Sequence, residues 1–456
     1  MKNPYEDSPY LARLAALSRD ELEGLQLVKV RRQVARLYDS SAYYRQKMQS
    51  VGLRPDDIET LEAFAQRFPT SSKADFLADQ QAAPPFGTRL GIPRTDVALV
   101  NLTGGTSGQG QEIYGRSQRD VHMLGYLHAL AWHLAGLRRG DTVLNCVPAG
   151  GMTTGGWGPG EGLRIIGATG FHPGGNMSTD AKIDLMLRLG GLNFIYASTN
   201  YLHTLTDALL RRGIVPREAF PDMHGLFIAA EGYPVEWAQK IEEHWGCGLQ
   251  EGYGSTQCAG FSASTLDRGA VTRGGARGLM RMFEWETLTE VVDPQTMRPV
   301  ASGEAGEMVV TNLSIEGTPV IRFRTGDAAR FVSYRDAGGG LCWNAIECGT
   351  IGRFDDMLKI RGNNVWPSAV DAAVFAFPEV VEYAGRVFTT PDGKTDVEVL
   401  IAFAAGGAER LEEIRAAIKQ RTNVWMTLRE VARSELPEFA YKARRWSDER
   451  QQGYKL

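Results

Sequence analysis

The spacing of apolar positions predicts a helical beginning for the chain and a sheet-based centre. Ser18 and Glu21 have the spacing of a capping box, which predicts a helix over residues 18–50. The apolar positions of this segment share one helical face: Leu27, Val30, Val34 and Leu37. From residue 96 the pattern changes to short apolar runs between glycine turns and helices, at residues 97–102, 142–147 and 226–230. Strands that alternate with helices predict a largely parallel, buried sheet.

The end of the chain has a different order of elements. Residues 303–311 predict one more strand, and Pro367 with Ser368 predicts the entry to a helix over residues 365–377. Two strands are expected around the turn at residues 391–394, and a helix after them: residues 386–390, 395–403 and 408–422. This mixture predicts a small α+β domain behind a large α/β domain whose mainly parallel sheets have flanking helices.

Composition and charge narrow the function classes. A chain of 456 residues is too long for one ordinary core, so two or more domains are expected. The net charge of -4 disfavours a nucleic-acid surface, because phosphate binding requires clustered excess cations. No apolar run reaches the roughly 18 residues that span a bilayer, and residues 1–7 lack the basic start and apolar core of a signal peptide. We therefore expect a cytoplasmic protein without membrane or nucleic-acid partners.

The cysteines leave two interpretations. Their odd number and the absence of a CxxC pair favour reduced thiols over a disulfide framework. His244, Cys247 and Cys258 are the alternative, as part of a metal site, but a second pair of ligands at tight spacing is missing.

The most informative stretch is residues 352–367, where charges and turn-forming residues fit no helix or strand period. It resembles the hinge of the adenylate-forming ligases, the acyl-CoA synthetase superfamily, and its Arg-Gly-x-Asn-Val-x-Pro end resembles the phenylacetate-CoA ligase branch. Residues 68–75 are similar to the branch's N-terminal signature, and four further segments match in family order: residues 103–108, 253–257, 322–327 and 442–445. The resemblance implies an N-terminal adenylation domain over residues 1–354, a mobile C-terminal domain over residues 355–456 and a hinge at Asp355.

A loop rich in glycines and hydroxyls follows the strand at residues 97–102. Glycines let successive backbone N–H groups approach phosphate oxygens, although such a loop alone also fits an ordinary turn. The resemblance assigns the loop to the triphosphate of ATP through Thr103, Gly104, Gly105, Thr106, Ser107 and Gly108. Gln109 stands where the family has a lysine, so one cation fewer faces the phosphates.

Three other motifs supply the remaining nucleotide contacts. Tyr253 is flat and amphipathic, which suits contact with adenine, and the carboxylate of Asp327 can accept both ribose hydroxyls. The resemblance implies these roles and adds further nucleotide-binding residues: Glu231, Gly232, Gly254, Ser255 and Arg353. Thr256 is expected at a phosphate, and Gln257 replaces the family's magnesium-binding glutamate. An amide oxygen can still bind magnesium, without adding negative charge.

The acid-binding and catalytic residues rest mainly on the resemblance. Residues 152–160 are similar to the branch's Phe-Thr-Gly-Gly-Leu-Gly stretch, which implies an acyl pocket formed by Met152, Thr153, Gly155, Gly156, Trp157 and Ala230. Gly160 and Glu161 replace the branch's His-Tyr, so phenylacetate itself is not assumed as the substrate. Lys442, which alone would be interpreted as a solvated charge, is implied to be the adenylation lysine that bridges the carboxylate and the α-phosphate. With Thr256 and Arg353 it forms the expected catalytic set.

Together these residues predict an AMP-forming acid–thiol ligase. It would activate an aromatic or other hydrophobic carboxylic acid with ATP and Mg²⁺, forming an acyl-adenylate and pyrophosphate, and then form a thioester with coenzyme A. Two alternatives stay open: transfer of the acyl group to a carrier protein or an amine, and a non-catalytic nucleotide-binding role, which Gln109 and Gln257 favour. The expected partners are the small-molecule acid, ATP and coenzyme A, and the oligomeric state is open, a homodimer included.

Overall fold

The computed structural model has a large α/β part followed by a smaller α+β part. It describes residues 8–103, 110–148, 150, 152–173, 177–229, 232–266, 269–271, 275–353, 358–361, 363–390, 395–404, 407–437 and 445–450. The described helices are, in chain order, α1 (Pro9–Ala15), α2 (Arg19–Ser40), α3 (Ala42–Gln49), α4 (Leu61–Arg67), α5 (Lys73–Ala82), α6 (Gln118–Leu134), α7 (Thr154–Ile166), α8 (Thr179–Leu189), α9 (Thr199–Arg211), α10 (Pro216–Ala219), α11 (Val235–Trp245), α12 (Pro367–Val374) and α13 (Leu411–Thr422). The described strands are β1 (Leu99–Leu102), β2 (Ile113–Arg116), β3 (Thr142–Asn145), β4 (Thr169–Phe171), β5 (Phe194–Ser198), β6 (Gly225–Ala229), β7 (Leu249–Ser255), β8 (Gly260–Thr265), β9 (Leu279–Met282), β10 (Thr287–Val292), β11 (Ala305–Asn312), β12 (Phe323–Val332), β13 (Ala345–Glu347), β14 (Gly352–Arg353), β15 (Leu358–Ile360), β16 (Asn363–Val365), β17 (Val380–Thr389), β18 (Thr395–Phe403), β19 (Thr427–Glu430) and β20 (Trp446–Asp448).

Twelve of the described strands form one sheet with a parallel half and an antiparallel half. Its order is β10-β11-β12-β13-β9-β8-β7-β6-β5-β3-β4, and β14 pairs with β12. The neighbours from β4 to β7 run parallel, and the pairing becomes antiparallel between β7 and β8. The hairpin of β1 and β2 lies outside this sheet. The structure therefore confirms the predicted α/β class with a large, parallel-rich sheet.

The parallel strands are buried on both faces. Along β5, Phe194 and Tyr196 belong to one apolar cluster, whereas Ile195 and Ala197 belong to another. Helix α6 contributes to the first cluster, and helices α9 and α11 contribute to the second. Because both faces are covered, every position of β5 is buried, which explains the uninterrupted apolar runs in the sequence.

The helix predicted over residues 18–50 is divided at Ser41. Helix α2 begins with the predicted capping box of Ser18 and Glu21. Ser41 has extended backbone geometry, and its hydroxyl accepts a hydrogen bond from the backbone N–H of Tyr44 at the start of α3. A serine that caps a new helix interrupts the old one, so the apolar face continues in two shorter helices.

The C-terminal part has a sheet and a core of its own. Its strand order is β19-β18-β17-β20, and β17 and β18 form the predicted antiparallel hairpin, although β17 begins at Val380 rather than at residue 386. Apolar side chains of β15 to β19, α12 and α13 form one buried cluster. This confirms the small α+β domain, while the boundary between residues 354 and 355 stays a prediction, because residues 354–357 lie outside the described ranges. Within those ranges, no helix combines the length and the apolar character needed to cross a membrane.

Helices α6 and α7 pack closely at a glycine. The ring of His128 on α6 is buried beside Trp132 and Phe261 and lies against Gly158 of α7. A Cβ atom at Gly158 would lie 2.1 Å from His128 Cε1, whereas a Cβ at the exposed Gly160 would meet nothing within 4 Å. The first position therefore requires glycine for close approach, and the second does not.

Two glycine-to-alanine variants of α7 should have opposite effects on stability. Gly158→Ala should lower the free energy of unfolding by about 1–3 kcal/mol, because the buried imidazole has no space to move into. Gly160→Ala, the matched control, should raise it by about 0.5–1 kcal/mol, because alanine loses less backbone entropy in a helix. Urea unfolding followed by tryptophan fluorescence measures both. Equal effects would contradict the close α6–α7 contact.

Candidate active site

Three residues from distant segments meet at the end of β7. The hydroxyl of Tyr253 donates to Asp327 Oδ2 at 2.8 Å, and Arg353 Nη1 donates to Asp327 Oδ1 at 2.9 Å. Asp327 lies on β12 directly opposite Arg353 on β14, and its backbone N–H donates to Thr325 Oγ1. Burial, and secondly the charge of Asp327, raise the pKa of Tyr253 well above its ordinary value, so its hydroxyl remains a donor. The structure thus brings together three of the residues predicted from separate motifs.

The ends of the predicted phosphate loop are joined by two hydrogen bonds. The backbone N–H of Thr103 donates to the carbonyl of Glu112 at 3.1 Å, and the N–H of Glu112 donates to Thr103 Oγ1 at 3.0 Å. Gln111 Nε2 also donates to the Thr103 carbonyl. These hydrogen bonds hold Thr103 next to Glu112, so the two ends of the loop have fixed positions.

The turn after β7 is held against β2 and the residue that precedes it. Arg116 Nη2 donates to the carbonyl of Thr256, and Gln257 Nε2 donates to Glu112 Oε2 at 3.0 Å. Both partners are buried: Arg116 is fully covered, and Glu112 is 1% exposed. The hydroxyl of Tyr114 donates to the other oxygen, Glu112 Oε1, at 2.8 Å.

Burial dominates the electrostatics of these two charged side chains. It raises the pKa of the Glu112 carboxyl, against the hydrogen bonds from Tyr114 and Gln257. It also lowers the pKa of the Arg116 guanidinium, against the charge of Asp120. Sequence reasoning missed both residues. The signal that could have found them is an acidic and a basic side chain in a short strand directly after the glycine-rich loop.

A buried glutamate supports the loop that enters α11. Glu251 on β7 accepts two hydrogen bonds at Oε2, from the Tyr233 hydroxyl at 2.6 Å and from the Gly349 N–H at 2.8 Å. Gly232, predicted at the nucleotide, lies next to this contact, since a Cβ there would approach the carbonyls of Ile351 and Gly349. Burial raises the pKa of Glu251 to about 7, despite these donors. Glu251 was also not predicted from the sequence.

Gly254 and Ser255 form the end of β7. A Cβ at Gly254 would lie 2.4 Å from the carbonyl oxygen of Gly260, so this position requires glycine where β7 and β8 approach each other. Ser255 Oγ accepts from the backbone N–H of Cys258, which stabilises the turn that carries Thr256 and Gln257. Both predicted residues thus shape the turn.

The predicted acyl-pocket residues lie at the start of α7. Thr153 caps the helix through Gly156 N–H, and the Met152 carbonyl accepts from Leu102 N–H, which joins this segment to the end of β1. Met152 and Trp157 are 46% and 38% exposed. A cleft of about 440 Å³ contains Trp157 and is further lined by Ala98, Leu99, Gln118, Val121, His122, Glu161 and Arg164. The assignment of these residues to the acyl pocket stays a prediction.

Several predicted residues lie outside the described ranges. They are Gly104, Gly105, Thr106, Ser107, Gly108, Ala230, Glu231, Asp355 and Lys442. Their predicted roles stay predictions.

Gln257 fits a magnesium ligand in its chemistry. Its amide nitrogen is directed at Glu112, which leaves the amide oxygen as the group that can bind a hard cation. Magnesium at a nucleotide takes few protein ligands and completes its octahedron with phosphate oxygens and water. Among the described residues, no group of three or more His, Cys, Asp and Glu side chains is placed to hold a metal ion. The five cysteines, all described, form no disulfide.

Comparison with known proteins shows what class of protein this fold and site define. The AMP-binding enzyme family matches residues 37–315. Phenylacetate-coenzyme A ligase of Thermus thermophilus is 31% identical over 395 residues, which are 86% of this chain and 84% of that protein. The enzyme of the same name from Pseudomonas putida is 30% identical, over 83% of this chain and 82% of that protein.

A solved structure has the same fold. It is 2-hydroxyisobutyryl-CoA ligase in the postadenylation state with R3-HIB-AMP, with a TM-score of 0.85 and 23% identity, covering 97% of this chain and 92% of that chain. The chain belongs to the AMP-binding enzyme family. The adenylate-forming enzyme predicted from the sequence is thereby confirmed.

Replacing Glu251 should change how stability depends on pH. In the unfolded chain this carboxyl titrates near its ordinary value of 4.5, and in the folded protein near about 7. Between these values the folded state binds more protons, so this group's contribution to stability falls as pH rises, by about 3 kcal/mol in total. Glu251→Gln has no titrating group at this position, so its free energy of unfolding should not show this decline with pH.

Urea unfolding between pH 4.5 and 8 measures this prediction. The free energy of unfolding of Glu251→Gln should gain on that of the wild type as pH rises through the window. Glu243→Gln, on the exposed side of α11, is the control and should run parallel to the wild type. A constant difference between Glu251→Gln and the wild type would show that Glu251 titrates alike in both states.

Proposed function

We propose that this protein activates a carboxylic acid with ATP through an acyl-adenylate and then transfers the acyl group to coenzyme A as a thioester. The observation that carries the proposal is the contact of Tyr253, Asp327 and Arg353, in a chain of the AMP-binding enzyme family. The turn after β7, which follows Tyr253, is hydrogen-bonded to Glu112 at the end of the 103–112 loop. Relatives named phenylacetate-coenzyme A ligase support coenzyme A as the acceptor and an aromatic or other hydrophobic acid as the substrate.

The reaction proceeds in two balanced steps. In the first, a carboxylate oxygen of the acid attacks the α-phosphorus of ATP, the bond to the bridging oxygen breaks, and pyrophosphate leaves. In the second, the thiol sulfur of coenzyme A attacks the acyl carbon, the thiol proton is lost, and AMP leaves. No covalent bond to the protein is required, so its side chains act by position and charge.

The described residues have separate tasks in the first step. Asp327 accepts the ribose hydroxyls, and Arg353 and Tyr253 hold its carboxylate from two sides. Thr256, whose carbonyl Arg116 fixes, donates its hydroxyl to a phosphate oxygen. Gln257 holds magnesium, which supplies neutralisation of phosphate charge when it is bound. Met152, Thr153, Gly155, Gly156 and Trp157 form the wall against the acid.

The C-terminal domain supplies the adenylation lysine, Lys442, and moves about a hinge at Asp355. Arg445, three residues further along the chain, forms ion pairs with Glu382 and Asp371 of its own domain. It also donates to Asn200 Oδ1 at the start of α9, directly after β5. Ligands of open α/β sheets bind outside the carboxyl ends of the strands. This contact therefore supports delivery of the lysine to that edge of the sheet.

Lys442→Ala should separate the two half-reactions. The lysine charge is needed while negative charge builds on the α-phosphate, so acid-dependent pyrophosphate release should fall by about 10²–10³-fold. Thioester formation from synthetic acyl-adenylate should be retained, because that step breaks no bond to pyrophosphate. Lys419→Ala on α13 is the control and should leave both half-reactions unchanged. An equal loss in both would contradict the two-step assignment.

The identity of the acid and of the acceptor is tested by one set of assays. We expect acid-dependent pyrophosphate release with aryl acids above that with short aliphatic acids, because the proposed wall residues Met152 and Trp157 have large apolar side chains. Free coenzyme A should accept the acyl group, and a faster rate with a carrier protein or an amine would favour that alternative. No pyrophosphate release with any acid would overturn the proposal.

We expect the protein in the cytoplasm. Size-exclusion chromatography with light scattering will show whether it forms a homodimer.

A further inference from the structure

Glu112 is a buried carboxylate with two uncharged hydrogen-bond donors. It is 1% exposed, and its oxygens accept from the Tyr114 hydroxyl at 2.8 Å and the Gln257 amide at 3.0 Å. Within the described part of the chain, no Lys, Arg or His lies within ion-pair distance of it, and the charges of Arg89 and Lys73 lower its pKa less than these two hydrogen bonds do. Burial of a carboxylate is costly unless a charge or hydrogen bonds compensate it. Glu112, at the base of the 103–112 loop, therefore depends on its hydrogen bonds with Tyr114 and Gln257.

The carboxylate determines how the Gln257 amide is oriented. An ionised carboxylate only accepts hydrogen bonds, so the NH₂ group of Gln257 must face Glu112. The amide oxygen Oε1 then lies on the opposite side of the amide from Glu112. No described residue donates a hydrogen bond to that oxygen. Arg116 also holds the Thr256 carbonyl, so the backbone and the side chain of this turn are both fixed.

A fixed amide in contact with a carboxylate is a better metal ligand than an amide alone. The hydrogen bond to the carboxylate polarises the Gln257 amide, which increases the electron density on Oε1. Removing an outer hydrogen-bond partner that holds a metal ligand typically lowers metal affinity by about 10–100-fold. The pair also places a full negative charge near the cation, which Gln257 by itself does not.

We propose that Glu112 and Gln257 together form the protein's side of the magnesium site, with Gln257 Oε1 as the ligand and Glu112 as the positioning carboxylate behind it. This rests on the proposed function, in which magnesium and ATP bind at the 103–112 loop. The negative charge of the site thus comes from the residue before β2 instead of from the turn after β7. Exchanging the two side chains should preserve the site, because the amide then placed at position 112 accepts from Tyr114 and donates to the carboxylate placed at position 257.

The experiment measures metal affinity without catalysis. Mn²⁺ replaces Mg²⁺ as a paramagnetic, oxygen-seeking ion. Its free signal in electron paramagnetic resonance, compared with that of the same ATP concentration without protein, gives the Mn²⁺ dissociation constant of the enzyme–ATP complex in the absence of acid. Glu112→Gln should raise that constant by about 10–100-fold. The double variant Glu112→Gln with Gln257→Glu should recover most of the lost affinity. ATP affinity in EDTA should be the same in all variants.

A matched control removes a carboxylate of α11 that contacts the other end of β7. Glu242 Oε1 accepts from the backbone N–H of Leu249, the first residue of β7. Glu242→Gln should bind Mn²⁺ like the wild type, which separates an effect on metal from a general effect of weakening a contact with β7.

Two results would overturn the inference. One is Glu112→Gln binding Mn²⁺ as tightly as the wild type, and the other is a double variant that remains as weak as Glu112→Gln. If Glu112→Gln does not fold, the Mn²⁺ dissociation constant of the folded double variant is compared with that of the wild type. A double variant that binds Mn²⁺ much more weakly than the wild type would then overturn the inference. A wild-type protein that binds ATP neither in EDTA nor with Mg²⁺ would instead overturn the proposed function, because ATP is its first substrate.

Discussion

The site depends on one buried strand that carries polar side chains. Alternate residues of a strand share a face, so Glu251, Tyr253 and Ser255 of β7 point to the same side. A buried polar group costs free energy unless it is hydrogen-bonded, so each position along this face requires a partner from elsewhere. Glu251 accepts hydrogen bonds from the Tyr233 hydroxyl and the Gly349 N–H. The Tyr253 hydroxyl donates to Asp327, and the Ser255 hydroxyl accepts from a backbone N–H of its own turn. These requirements bring four separate segments of the chain to one place.

The position of β7 in the sheet explains why it has this task. It is the last parallel strand and the first with an antiparallel neighbour. The parallel side brings the carboxyl end of β6, with Ala229, to the same edge as the end of β7. The antiparallel side returns the chain at once through β8, which leaves a tight turn at Thr256 and Gln257. The paired strands on either side limit how far this turn can move, which suits the phosphate and magnesium roles that we propose for Thr256 and Gln257.

The sequence was sufficient for the class of fold, and three of its contiguous motifs contain residues that the structure brings together. Tyr253, Asp327 and Arg353 were predicted from three motifs, and the structure places them in one hydrogen-bonded group. Helix boundaries were harder, because Ser41 is compatible with a helix interior until its capping of α3 is seen. A polar residue that both ends and starts a helix gives no signal in the apolar spacing.

The supporting residues could not be predicted for a different physical reason. Glu112 and Gln257 are 145 positions apart, and Arg116 reaches Thr256 over 140. Neither pair forms a periodic pattern in the sequence. From the sequence alone, Glu112 and Arg116 would each be interpreted as solvent-exposed charges. Gln257 was recognised as a departure from its family, but the sequence offered no way to connect it with an acidic residue on another element.

Burial of these supporting charges also constrains how the site can change. Glu112 and Arg116 are buried at the two ends of the segment formed by β2 and the residue before it, and each forms a hydrogen bond with the turn after β7. Removing one partner leaves the other buried without compensation, which is more costly than exchanging both partners together. A substitution at Gln257 alone would place a second carboxylate within hydrogen-bonding distance of Glu112, and like charges at that distance cannot both ionise. The amide at position 257 is therefore the side chain that the buried carboxylate requires, and the two positions are coupled by charge rather than by packing.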